Sequence, residues 1–491
     1  MKSNGKHFTR KEMLRQLTLL TAGAAFYQTS YATLLPKGHR LTVNGKPVAL
    51  QSCRVSAVPF NQVWPGYQRP LDQTELATFA AWDMEAEVTV CLTSAVPIHK
   101  VTVRPLAAGI KPEVTGRKIR FTVPRPMDLV VEINGYHHAV HLFAKPSVTI
   151  PLAKRKACTY YFGPGVHEIG KKELSSGDSV YLERGAVVYG CFHAINAHGI
   201  SISGRGIIDV SKLERGKGVG AIRLEGCSDC QVSGVILRDP DTWCLSLFGC
   251  SDIHIDGVKL IGLWRYNADG IDVCNCQRIV VSNCFVRSFD DGLVVKGKKG
   301  PYQHLPVDDV RFENCVVWCD WGKAFEIGAE TVAPFMGKIR FHNCDIIRTS
   351  YAAMDILHGD GAAIRDIRFE NIRIEVDEVH YQPKLQTQPQ EAYVDEGNGS
   401  YVPYLLVARI TKTDYSQEEQ FGTLDGLTVT DISISRQPGA DMPSSVFQGA
   451  NDHAVIRDVQ IHRWKLNGEP LNTLSAAQIT TNPFVESIHI S

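Results

Sequence analysis

The sequence predicts an all-β protein, a β-sandwich followed by a parallel β-helix, and three observations carry that reading. Short stretches of alternating apolar and polar residues run along the chain with hardly any helix-period stretch between them. Up to about Leu152 they are punctuated by hairpin signals such as Asn44-Gly45 and Asn134-Gly135. Beyond Tyr160 the punctuation changes to a repeat, in which ISISG, CQVSG, IHIDG, IVVSN, VRFEN, IRFHN and IRFEN align.

The first 32 residues read as an export signal. Lys2, Lys6, Arg10, Lys11 and Arg15 give a positive start, Leu17 to Phe26 an apolar run, and Ser30-Tyr31-Ala32 a small-x-small cleavage site. An amphipathic N-terminal helix is the competing reading. No later stretch reaches 18 apolar residues, so the mature chain is expected to be soluble, periplasmic or secreted, with no membrane partner once the signal is removed. The 491 residues carry 52 basic and 52 acidic side chains, so no basic field points to nucleic acid. A neutral or small substrate fits better, and oligomeric state is not legible.

Residues 33–155 form the expected sandwich, from the alternation in Glu87 to Leu92, His99 to Val103, Lys118 to Val123, Leu129 to Ile133 and Ala139 to Phe143. Trp64 and Tyr67 are equally open to a packing or a carbohydrate-contacting role. Residues 156–491 form the expected β-helix. The alignment puts Gly204, Gly234, Gly257, Asn283, Asn314, Asn343 and Asn371 in one column, and both residue types tolerate a left-handed backbone, so the column marks one tight turn in every coil. Val310 and Phe312 would face the core, and Arg311 and Glu313 the solvent.

Among the 14 cysteines, Cys227, Cys250, Cys284, Cys315 and Cys344 recur at similar points of the repeat, which suits a column of small apolar side chains better than disulfides. Cys274-Asn275-Cys276 has one intervening residue where zinc knuckles use two or more, so neither a metal nor another cofactor is expected. After Asn371 the period breaks, and the Gln-, Pro-, Glu- and Tyr-rich stretch near 376–422 reads as an insertion that could wall a cleft.

Chemistry concentrates between Trp264 and Gly297. Asp269, Asp272, Asp290 and Asp291 fall within one repeat-sized window, so neighbouring coils would bring them together on one groove. Asp269 or Asp272 alone reads equally well as a turn residue. The tandem Asp290-Asp291 is harder to assign to a turn, because adjacent carboxylates raise one another's pKa. Paired acids suit glycoside hydrolysis, in which one protonates the leaving oxygen and another activates water.

Three successive stretches, Arg238-Asp239-Pro240-Asp241-Thr242-Trp243, Asn267-Ala268-Asp269-Gly270-Ile271-Asp272, and Asp290-Asp291-Gly292 through Lys296-Gly297, resemble the signatures of glycoside hydrolase family 28, the polygalacturonases, over roughly Tyr160 to Ile374. The resemblance implies a right-handed coil and hydrolysis with inversion. It makes Asp290 the general acid and gives Asp269 and Asp291 the attacking water, with Asn267, Asp272, Lys296, Lys323, Asp355 and His358 as candidate substrate contacts. Two departures matter. Lys323 stands where the family has its supporting histidine, and Ala353-Met354-Asp355 where Arg-Ile-Lys grips a uronate, so the sugar at the cleavage site is expected to lack a carboxylate. His358 is expected in a loop. Alternatives are a dextranase-like glucan hydrolase of family 49, whose layout is similar, a polysaccharide lyase with Lys323 or Lys296 as base, and a non-catalytic glycan-binding coil.

Overall fold

The computed structural model describes residues 38–57, 74–377, 402–437 and 439–491. The expected export segment, Trp64, Tyr67 and residues 378–401 of the expected insertion lie outside the described residues. Two five-stranded sheets come first. One runs Lys46–Val48, Arg40–Val43, Val88–Thr93, Lys118–Val123, Glu113–Thr115, antiparallel throughout. The other runs Gln51–Ser56, Thr74–Met84, Val140–Pro146, Met127–Ile133, Val101–Arg104, with one parallel pair. Alternation explains their packing, because Val90, Leu92, Ile119 and Phe121 from the first sheet and Leu129 and Leu142 from the second share one buried core. Asn44 and Gly45 turn at φ 48° and 75°, the left-handed pair that a two-residue hairpin requires.

From Tyr160 the chain winds into coils of three strands. One coil is Gln277–Ser282, Phe285–Ser288 and Leu293–Gly297; the next is Val307–Glu313, Val316–Cys319 and Lys323–Thr331. Stacking makes three parallel faces, and the twelve strands of the first face span roughly 50 Å at about 4.8 Å per coil. Ile279, Val310, Ile339, Ile367, Leu427 and Val459 sit in register on that face and are all fully buried. The expected turn column separates the first face from the second. Gly234, Gly257, Asn283, Asn314, Asn343 and Asn371 have φ between 53° and 71°, and the asparagines chain together, Asn371 donating to Asn343 (3.0 Å) and Asn343 to Asn314 (2.6 Å).

Every cysteine is free, in keeping with a packing role. They form two columns rather than one, however. Cys227, Cys250 and Cys276 precede first-face strands, whereas Cys284, Cys315 and Cys344 follow them, so the sequence alignment had merged two corners of the coil. The reading of 376–422 as insertion is also too broad, since Tyr404–Ile410 is a coil strand paired in register with Ala352–His358.

The sandwich docks on the second face. Cys53, Val55, Phe79 and Phe143 pack against Ile236, Ile261, Phe285 and Trp318 in a separate core. Buried Arg104 fastens the same junction, pairing with Glu132 of the sandwich and with Glu375 and Asp377 of the coil. Among the described residues the sandwich core packs on the second face, and the third face carries the carboxylates.

Candidate active site

On the third face, parallel register turns single residues into columns. Glu173, His193, Arg223, Ser246, Asp272, Val294, Glu326 and Asp355 are consecutive partners on successive strands. Immediately before these strands a second column forms: Gly270 N–H donates to Asp291 O (2.8 Å) and Gly292 N–H to Lys323 O (2.8 Å), which places Asp269, Asp291 and Lys323 at one point of three coils. Glycines permit this stacking. A Cβ on Gly270 would meet the Gly292 carbonyl at 2.3 Å, and one on Gly322 would meet Asp291 Oδ1 at 2.3 Å and Asp290 Oδ1 at 2.9 Å.

The arrangement gathers Asp269, Asp272, Asp290, Asp291, Lys296, Lys323 and Asp355, and adds Glu326, which carries no assigned role in the sequence reading. Asp269, Asp272, Asp291, Glu326 and Asp355 are buried, and burial decides their chemistry. Burial and then the Asp291 charge push Asp290 up to about 8. Against burial, Lys323, Glu326 and Lys296 hold Asp291 down at about 2. Burial raises Asp272 to about 8 and Asp355 to about 6, and burial with the Asp272 and Asp290 charges raises Asp269 well above the carboxylate range. Near neutral pH the tandem therefore offers one protonated and one ionised carboxyl side by side.

Lys323 is a fixed cation. Its Nζ lies 3.1 Å from Glu326 Oε1 and 3.6 Å from Asp291 Oδ1, its N–H donates to Asp291 Oδ1 (3.0 Å), and the acids around it hold its pKa above the usual lysine value despite burial. Lys296 donates to Gly328 O (3.0 Å) and, with Lys298, pairs with Glu330. Asn267 turns at φ 55° and accepts from Arg215 (2.5 Å). Partly buried aromatics flank the acids: Trp243 stacks on Phe248 beneath Lys296 and Lys298, Trp321 stacks on Phe289, and Tyr351 meets Tyr404 edge-on.

One expectation fails on placement. His358 is on a strand, fully buried, with its ring nitrogens on Thr331 Oγ1 (2.8 Å) and Ala362 O (2.9 Å), so it is a packed histidine with no nitrogen left for a sugar. The signal for Glu326 was present but local reading could not use it: it stands three residues after Lys323, and only coil register shows that it meets Asp355.

Residues 189–389 match the family model of glycosyl hydrolases family 28. That family 28 match encloses each of these acids and lysines. Among solved structures, the dextranase Dex49A from Penicillium minioluteum is similar with a TM-score of 0.59 at 12% identity, over 91% of this chain and 93% of that one. That likeness is one of fold and takes in nearly the whole chain, sandwich and coil together. The family 28 exopolygalacturonase from Yersinia enterocolitica aligns over 82% of this chain and 96% of that one, at 11% identity and a TM-score of 0.45. An exopolygalacturonase from Thermotoga maritima aligns over 67% and 82%, at 13% identity and a TM-score of 0.45. No curated protein sequence matches the chain.

Proposed function

We propose that this protein is an exported, inverting glycoside hydrolase acting on a glycan that lacks a carboxylate at the cleavage site. The observation that carries the reading is the Asp290-Asp291 tandem, in which Lys323 sits on Asp291 alone, its Nζ 3.6 Å and its backbone N–H 3.0 Å from Asp291 Oδ1; burial accordingly raises Asp290 to about 8, while Lys323 helps to hold Asp291 down at about 2. Asp290 gives its proton to the leaving glycosidic oxygen as the bond breaks. Asp291 takes a proton from the water that attacks the opposite side of the sugar, and Asp269, pushed toward its neutral form, positions that water rather than sharing the base role. Lys323 keeps Asp291 ionised and, being permanently charged, relays no proton.

The charge around the groove supports a neutral sugar. Lys323, Lys296 and Lys298 are already matched to Asp291, Glu326 and Glu330, and Asp355 occupies the place where a uronate would need a cation. A lyase would need a lysine able to lose its proton, whereas Lys296 and Lys323 are both held above the ordinary value. Export rests on the N-terminal residues; among the described residues no helix is long and apolar enough to cross a membrane.

The test is release of reducing sugar from dextran, galactan and polygalacturonate, with the product anomer followed by NMR. Turnover of a neutral glycan with inversion is expected, and Asp290→Asn should lower it about 10²-fold or more. Activity on polygalacturonate alone overturns the neutral substrate, an unsaturated product overturns hydrolysis, and binding without turnover leaves only a glycan-binding coil.

A further inference from the structure

A cavity of about 1070 Å³ opens far from the carboxylates, between the sandwich and the corner where the first and second faces of the coil meet. The left-handed turn column forms its coil wall, so Gly234, Asn283, Asn314 and Asn343 present a polar edge to it, and Arg125, Met127 and Lys145 face them from the sandwich. In a chain of zero net charge, seven basic and five acidic side chains line this cavity. Three cations are matched one to one: Lys259 with Asp128 (2.7 Å), Arg155 with Glu183, and Arg373 with Asp345. Arg184 and Arg205 share Asp83, at 2.7 and 3.0 Å.

Lys145 has no carboxylate within ion-pair distance among the described residues. Only 3% of it is exposed, and its ammonium, with three protons to place, donates to the Gly234 carbonyl. A buried ammonium beside an unbalanced cluster of cations is costly unless an anion joins it. Burial, with Lys259 and Arg205 nearby, holds the Lys145 pKa well below the ordinary lysine value, which has the same electrostatic origin.

We propose that this cavity is a second binding site, which takes an oxyanion carried by a saccharide, with Lys145 supplying the charge and the Asn283 and Asn314 amides the hydrogen bonds to adjoining hydroxyls. The volume is that of a small-molecule site rather than of a lone ion, and the row of asparagine side chains along its coil wall suits an occupant rich in hydroxyls. The site is independent of the catalytic reading, because no residue of the acid cluster lines it.

Isothermal titration of the full chain with tri-galacturonate, sodium sulfate and maltotriose, at matched ionic strength in sodium chloride, tests the proposal. Saturable binding of tri-galacturonate, weakened at least tenfold by Lys145→Met and restored by Lys145→Arg, is expected, with no binding of maltotriose. Asn314→Asp, which places a negative charge on the exposed turn without touching the core, should weaken binding severalfold even if Lys145→Met fails to fold. Binding that survives both changes belongs to the carboxylate groove and overturns the site. So does the absence of saturable binding in the unmodified chain. Sulfate binding without tri-galacturonate binding overturns the saccharide as occupant.

Discussion

Asp290 ties the chemistry of the groove to the stability of the chain. Its carboxyl is raised from 3.8 to about 8 in the folded protein, whereas the unfolded chain has the ordinary value. Between those values the folded state holds a proton that the unfolded state releases, so the favourable contribution is complete below about 4 and is lost as pH rises through about 8. Asp290→Asn cannot titrate. Its melting temperature is therefore expected to rise relative to the unmodified protein as pH goes from 5 to 8 and to level off above, and thermal denaturation at several pH values checks this. The same variant should lose turnover, so a gain in stability beside a loss of activity would mark a strained proton donor. A gap that stays constant with pH would show that Asp290 titrates normally.

At the scale of the element, each coil is held by what it stacks on. Phe341 of the first face lies between Phe312 and Phe369, with ring centroids at 4.8 and 5.1 Å, and meets Phe325 from the third face at 4.6 Å. This stack fills the coil interior directly behind Lys323 and Glu326, because Phe325 points inward between them. Phe341→Ala should cost about 3–5 kcal/mol, the range for emptying a buried aromatic site, measured by chemical denaturation. The loss should also blunt turnover, because Phe325 would lose the packing that fixes the neighbouring acid and lysine. An effect below about 1 kcal/mol would mean that the coil repacks around the gap.

Over the whole molecule, packing and ion pairs hold the two parts together without a disulfide. The sandwich and coil share the Phe79, Phe143, Phe285 and Trp318 core, and Arg104 is sequestered between them with acids from both. All 14 cysteines are free. Burial raises the Cys53 thiol to about 12 and pushes those of Cys244, Cys274 and Cys319 well above the usual thiol value, so few of these thiolates form near neutral pH. The melting temperature is accordingly expected to be the same with and without dithiothreitol; a clear drop under reduction would reveal a disulfide.

The sequence by itself determined the coil, because its evidence is local. A residue that must sit at positive φ is most often Gly, Asn or Asp, so the column from Gly234 to Asn371 marks the turn without reference to any neighbour. Alternation placed Val310 and Phe312 inside for the same reason, and the tandem Asp290-Asp291 stood out as a pair of like charges in adjacent positions. Tertiary structure decided the rest. Coils differ in length, so which side chains meet across them depends on register: this brought Glu326 beside Asp355, split the cysteines into two columns and made Tyr404–Ile410 a coil strand. Burial, which no local pattern reports, turned His358 into a packed residue and separated Asp290 from Asp291 by raising one carboxyl and, through Lys323, lowering the other. The docking of the sandwich on the second face, which encloses Lys145 in a cleft, arises from contacts between residues far apart in sequence, such as Phe143 with Phe285, and only the folded chain brings those together.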